Sequence, residues 1–204
     1  FMSRKRLSST LRQQQILDTT LEIIAEKGVG GVSTAEIAQR VGIVPSALYR
    51  HFESKEALID ALLDRTHMII FENVRKMTLK KSDPKEDLKS LFLLHLEFIR
   101  KNPGMPKLVF SDAAVFGSPE RKEKVLSIVK NYMNKLTEIA EKGRRDGDFL
   151  QDISPEAVAF SMVSFVQYVG LISNLSERKT DIGELAEQAW GYIERAIRTD
   201  LTKG

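Results

Sequence analysis

The segment from Ser33 to Phe52 constrains this chain most, because two short helical patterns meet around a single glycine with little room for another reading. Ser33 is a favoured N-cap residue and Glu36 follows three positions later, the pairing of a capping box, so a helix is predicted to start at Thr34. Ile37, Ala38 and Val41 recur at helical spacing on one face, leaving Glu36, Gln39 and Arg40 outside. Gly42 takes positive φ without steric cost and should end that helix. Pro45, with its fixed φ and missing N–H, suits the first position of a second short helix. There Leu48 and Phe52 face the core, while Pro45, Ser46, Tyr49 and Arg50 share the outer face. Such a face on the second helix of a helix-turn-helix is the one that can enter a major groove.

Charge is distributed to match. Residues 1–55 carry eight Lys and Arg against five Asp and Glu, which accounts for the whole formal excess of +3 in a chain of 204 residues. The basic stretch lies where a phosphate-facing surface would need it. The Ser3–Arg6 arm reads either as a minor-groove arm or as a solubilising tail.

From about Gln15 to Leu62 the sequence resembles the TetR family of one-component bacterial repressors. The resemblance rests on Ile37-Ala38 through Gly42-Ile43, then Leu48-Tyr49-Arg50-His51-Phe52, then Lys55 with Leu58. It implies that Tyr49, His51 and Lys55 hold backbone phosphates. Ser54 is placed to cap the next helix, whose free amides and positive dipole end suit a phosphate beside Lys55. Three positions depart from the family pattern: Val44 has no side-chain oxygen with which to cap the second helix, Ser46 stands where the family often has Gly, and Ala35 stands where a basic residue is common. The operator sequence is therefore not inherited from a relative. Arg50, Ser46 and Thr34 are the candidates for base readout, Arg50 through bidentate pairing with guanine. With Ser33 and Pro45 they complete the expected DNA-facing set.

The rest of the chain reads as all-α. Helices are expected from about Ser9 to Lys27, Ser54 to Lys80, Asp83 to Lys101, Met105 to Phe116, Pro119 to Gly143, Ser154 to Leu175 and Ile182 to Leu201. The Gly28–Gly31 cluster lacks the Lys-Ser/Thr of a phosphate loop and follows no strand, so it reads as a turn. This gives a three-helix DNA-binding domain over residues 1–53 and a six-helix effector-binding and dimerisation domain over 54–204, the division that the resemblance implies. No run of about 18 apolar residues and no signal core are evident, so a cytoplasmic location without a membrane partner is expected.

Two long apolar patterns close the chain. Val163, Val166 and Val169 on one helix, with Trp190, Ile193 and Ile197 on the next, form a stripe expected to build a four-helix interface in a homodimer. A dimer would read two half-sites about one helical turn apart, so the operator should be palindromic. Aromatic and polar residues in the central helices, among them His67, Phe71, His95, Phe110, Tyr132, Phe165 and Tyr168, could line a pocket for a small apolar or amphipathic effector or could be plain core. Asp64 and His67 share a helical face, but a di-iron bundle needs a second such pair and four carboxylates. No metal or cofactor is expected. Nor is an enzyme, since no nucleophile elbow or zinc-protease motif is present.

The reading is a ligand-responsive homodimeric repressor of double-stranded operator DNA. An activator or corepressor-dependent regulator, or a helical small-molecule binding or enzymatic protein with a vestigial motif, are the alternatives.

Overall fold

The computed structural model describes residues 8–78, 83–175 and 182–198. The Ser3–Arg6 arm and the expected helix ends at Lys80 and Leu201 lie outside them. Ten helices are described: α1 (Ser9–Lys27), α2 (Thr34–Val41), α3 (Pro45–Leu48), α4 (Lys55–Thr78), α5 (Pro84–Lys101), α6 (Gly104–Val109), α7 (Asp112–Val115), α8 (Pro119–Asp146), α9 (Pro155–Leu175) and α10 (Ile182–Ile197). The fold is all-α, and no strand occurs among the described residues beyond an isolated bridge between Phe149 and Arg198.

The count exceeds the expected nine because the stretch from Met105 to Phe116 is broken. The Phe110 N–H bonds to Pro106 O, and the Ser111 hydroxyl then accepts from Ala114 N, starting α7 anew. Short polar side chains begin other helices in the same way, Ser8 accepting from Leu11 N, Asp83 from Lys85 N and Ser118 from Arg121 N. At the far end of α8 the expected stop at Gly143 is corrected. The helix continues to Asp146 and Gly147 ends it in the left-handed conformation, φ 82°. Gly143 instead makes room for a neighbour, since a Cβ there would lie 2.3 Å from the Phe149 ring.

Two apolar clusters hold the molecule. The first joins Ile16, Ile23 and Ile24 of α1 with Ile37, Leu48, Leu58 and Leu62, and extends to Met105, Leu108 and Val125 of α6 and α8. Helices α4, α6, α7 and the start of α8 therefore pack into the same core as the helix-turn-helix. The second is built by α5, α8, α9 and α10 around Phe92, Leu136, Met162, Val166 and Trp190. Helix α9 is more apolar than the sequence expectation allowed: Pro155–Ile172 has mean hydropathy 1.4 over 18 residues, enough by length and composition to cross a membrane. Its Val158, Ala159, Met162, Val166 and Val169 are nevertheless buried in the second cluster, which makes it the core helix of the bundle.

Candidate nucleic-acid interface and adjoining cavity

Helix α2 ends as its sequence requires. Gly42 adopts φ 73° and ψ 40°, and the Ile43 N–H reaches back 2.9 Å to Ala38 O, closing the helix with a left-handed cap. Leu48 is fully buried and Phe52 nearly so, which fixes the roll of α3. Pro45, Ser46, Tyr49 and Arg50 are consequently exposed, with Thr34, His51 and Lys55 half-buried beside them. Helix α3 spans only four residues, so Tyr49, Arg50 and His51 lie in the turn that follows it. Ser9 Oγ lies 3.5 Å from His51 Nδ1, tying this turn to α1. Ser54 accepts a 3.0 Å bond from Ala57 N and caps α4 as expected, beside Lys55.

One detail of the sequence reading is corrected. Ser33 has the extended backbone of an N-cap but its side chain makes no capping bond, and the capping box does not form. Glu36 accepts from Lys27 Nζ at 2.8 Å and from Arg40 at 2.6 Å instead, and Arg40 also binds Glu26. Hydrogen bonds from these cations hold both carboxyls below the usual range. Two ionised partners for one carboxylate outweigh a single backbone amide. The network also neutralises Lys27 and Arg40, so among the described residues Arg50 and Lys55 carry the cationic charge of the exposed α3–α4 face.

A cavity of about 300 Å³ lies between α4, α5, α6, α8 and α9. His95, Phe110 and Tyr132 line it as expected, together with Thr66, Met105, Ile128, Phe160, Ser164 and Gln167. His95 presents its ring edge-on to Tyr132, centroids 4.9 Å apart, and its Nδ1 is buried without a hydrogen-bond partner. Burial pushes the imidazole down to about 4 and raises the Tyr132 phenol. The other four expected pocket residues lie elsewhere. His67 packs against Phe71 on α4, centroids 4.5 Å apart, outside the cavity lining. Neighbouring Asp64 pairs with Lys124 at 2.7 Å. Phe165 and Tyr168 line a separate shallow depression with Phe160, Ser164 and Tyr192 on the outer side of α9 and α10.

The expected interface stripe is also corrected. Val166, Val169, Trp190, Ile193 and Ile197 are 1 to 5% exposed and belong to the chain's own second cluster, while Val163 lines the cavity. Among the described residues, the large apolar side chains left on the surface of this helix pair are Phe160, Tyr168, Leu171 and Tyr192. Helix α9 is apolar around most of its circumference, so periodicity alone offered no way to choose the face.

Helix α6 carries the feature that the sequence reading missed. Met105, Pro106, Val109 and Phe110 contribute to the cavity wall, while its other side seats on α1. A Cβ at Gly104 would lie 2.3 Å from Leu21 O, so backbone meets backbone there, and Lys107 Nζ donates to Ala25 O. Below it, Arg121 of α8 is 7% exposed and forks onto Asp60 of α4 at 2.8 and 3.1 Å, with a third bond of 3.0 Å to Ala113 O. The cavity wall is thus in direct contact with the helix-turn-helix unit. A glycine after a helix-breaking Asn-Pro and an arginine two residues past a Pro N-terminus were the only sequence traces.

A helix-turn-helix unit with an exposed recognition face, joined through a shared core to a helical unit with a cavity, is the architecture of a DNA-binding regulator. The family model described as bacterial regulatory proteins, tetR family, matches residues 16–62, and that described as Tetracyclin repressor-like, C-terminal domain, matches residues 84–180. The chain belongs to the TetR family of transcriptional regulators, which are not enzymes. It is 29% identical over 188 residues to the nucleoid occlusion factor SlmA of Haemophilus ducreyi, covering 90% of this chain and 91% of that one. Its fold is similar to the ketosteroid transcriptional regulator KstR2 of Mycobacterium tuberculosis, with TM-score 0.76, 22% identity and coverage of 95% and 97%. It is also similar to the transcriptional regulator FadR from Bacillus subtilis solved with stearoyl-CoA, with TM-score 0.73, 19% identity and coverage of 91% and 99%.

Proposed function

We propose that this protein is a homodimeric repressor that binds a palindromic operator and is released when a small, largely apolar effector enters the cavity. Residues 1–53 act as the DNA-binding unit and 54–204 as the effector and dimerisation unit, working in the cytoplasm. Tyr49, His51 and Lys55 hold phosphates with Ser33 and Pro45 alongside, and Arg50, Ser46 and Thr34 read bases. The exposed set Phe160, Tyr168, Leu171 and Tyr192 forms the dimer face, with Phe165 beneath it.

The observation that carries the reading is the two-sided α6, because a molecule in the cavity presses on the same helix that seats on α1. Effector binding then needs to favour the DNA-free arrangement by only about 1 to 3 kcal/mol to change operator affinity some 5- to 150-fold. Selection from random duplex DNA with the full chain, followed by titration of the winning site at two salt concentrations, tests the reading. A palindromic site bound by a dimer, with strong salt dependence, is expected. An enriched site that appears only when metabolite extract is added would replace release by corepression. The likeness to SlmA favours a second reading, nucleoid occlusion. Chromosome-wide binding at many dispersed sites, with no gene derepressed on deletion, would favour it over repression.

A further inference from the structure

Resting on the effector reading above, we infer that the molecule this cavity takes is uncharged: an apolar body of about a dozen heavy atoms whose single polar group, a hydroxyl or carbonyl, hydrogen-bonds His95. Among the described residues no Lys, Arg, Asp or Glu lines the cavity, so a buried carboxylate or ammonium would find no counter-charge there. An unpaired ion in such a place gives up its hydration for nothing and is strongly disfavoured. The lining is instead dominated by aliphatic and aromatic carbon, with Phe110 and Phe160 exposed on the surface beside it. A volume of about 300 Å³ sits at the lower end of small-molecule sites and at some 20 to 30 Å³ per heavy atom holds roughly 10 to 15 atoms.

Polar partners in the wall are few, and their states are set. The Thr66 hydroxyl is occupied on Leu62 O at 2.8 Å. His95 lines the cavity, and its Nδ1 is buried without a hydrogen-bond partner. Held neutral by burial, it offers one donor and one acceptor, so a hydroxyl can satisfy whichever nitrogen it meets. Tyr132 is the only other titratable group in the lining among the described residues, and burial keeps it neutral as well. Ser164 and Gln167 of α9 and Thr66 of α4 add no charge. Neither ring should therefore change state on binding.

The test compares 1-decanol, decanoate and decylammonium as probes of this chain by calorimetric titration and thermal shift, with displacement of 1-aminoanthracene, a neutral fluorophore of about 15 heavy atoms, reporting cavity occupancy. The expected result is that 1-decanol binds at least tenfold more tightly than either ion at pH 7, with an affinity flat from pH 6 to 8. His95→Phe should weaken 1-decanol by about tenfold while leaving 1-aminoanthracene binding in place. Decanoate binding as tightly as the alcohol, with an affinity flat from pH 6 to 8, would overturn the uncharged assignment while leaving the effector site intact, whereas decanoate affinity that rises as pH falls in proportion to the neutral acid supports it. Absence of binding by every probe, 1-aminoanthracene included, would overturn the cavity as a ligand site and the effector reading with it. Should the His95 variant not fold, the charge comparison and pH profile on the unaltered protein decide alone.

Discussion

The helix-turn-helix and the α9–α10 pair both carry apolar residues at helical spacing, yet one face was readable in advance and the other was inverted. In α2 and α3 the apolar positions are few, Gly42 and Pro45 fix the ends, and polar residues fill the remaining circumference. Burying Ile37, Ala38, Val41 and Leu48 leaves only one possible outer face. Helix α9 offers two. Val158, Met162, Val166 and Val169 run along one side, Phe160, Ser164, Tyr168 and Leu171 along the other, and both could meet a core. Amphipathicity specifies orientation only where one side is unfit for burial.

The largest expected effect separates these faces. Trp190→Ala should cost about 3 to 5 kcal/mol of unfolding free energy, the usual loss for emptying a buried aromatic site, and the cost should not depend on protein concentration. Tyr192→Arg, two residues along the same helix, should leave the protomer folded and shift sedimentation from dimer to monomer. Denaturant titration and sedimentation velocity on both variants check the contrast. Monomerisation by the Trp190 variant with little loss of stability would restore the face first read from the sequence.

On the helix-turn-helix side, Arg50→Ala should lose about 1 to 3 kcal/mol of discrimination at a single operator position. Lys55→Ala should instead weaken binding to all sequences and reduce the slope of log affinity against log salt by about 1. Competition binding with single-base operator variants at several salt concentrations distinguishes them. Identical behaviour of the two variants would mean that the exposed turn after α3 reads shape alone.

How much could be read in advance follows local geometry. The end of α2 needed only Gly42, and the start of α4 only Ser54, because each is decided within a few residues. Gly143 and Gly42 look alike in sequence, but the first is explained by the Phe149 ring arriving from beyond the helix. His67 and His95 were equal candidates for the cavity. Which of them faces it depends on how α4 and α5 roll against α8, which no window of sequence contains. The Arg121–Asp60 fork joins residues 61 positions apart, and for the same reason nothing local announced it.

That fork has its own signature in pH. Arg121's hydrogen bond holds Asp60 below the usual carboxylate value of 3.8, so its contribution is present above that value and is lost as pH falls through the lowered one. With Asp60 partly open to water, roughly 1 kcal/mol is expected after solvent screening. Arg121→Met should therefore lose this part of its deficit relative to the parent below about pH 4, read from urea midpoints across pH. A deficit that stays constant with pH would assign the residue's role to packing and to Ala113 O.

The smallest effect returns to the capping serines, where the two helix starts of the DNA-binding side differ by one hydrogen bond. Ser54 Oγ accepts from Ala57 N, so Ser54→Ala should cost about 1 kcal/mol. Ser33 makes no such bond, and Ser33→Ala should stay within roughly 0.5 kcal/mol. Equal costs would mean that the capping box forms in solution and that Glu36 leaves Lys27 and Arg40 to complete it. Glu36→Gln discriminates further, since it keeps a side chain able to cap but removes the charge that draws both cations. If the ion pairs are what hold Glu36 away, Ser33 should gain its capping bond in that background, and Ser33→Ala should then become costly.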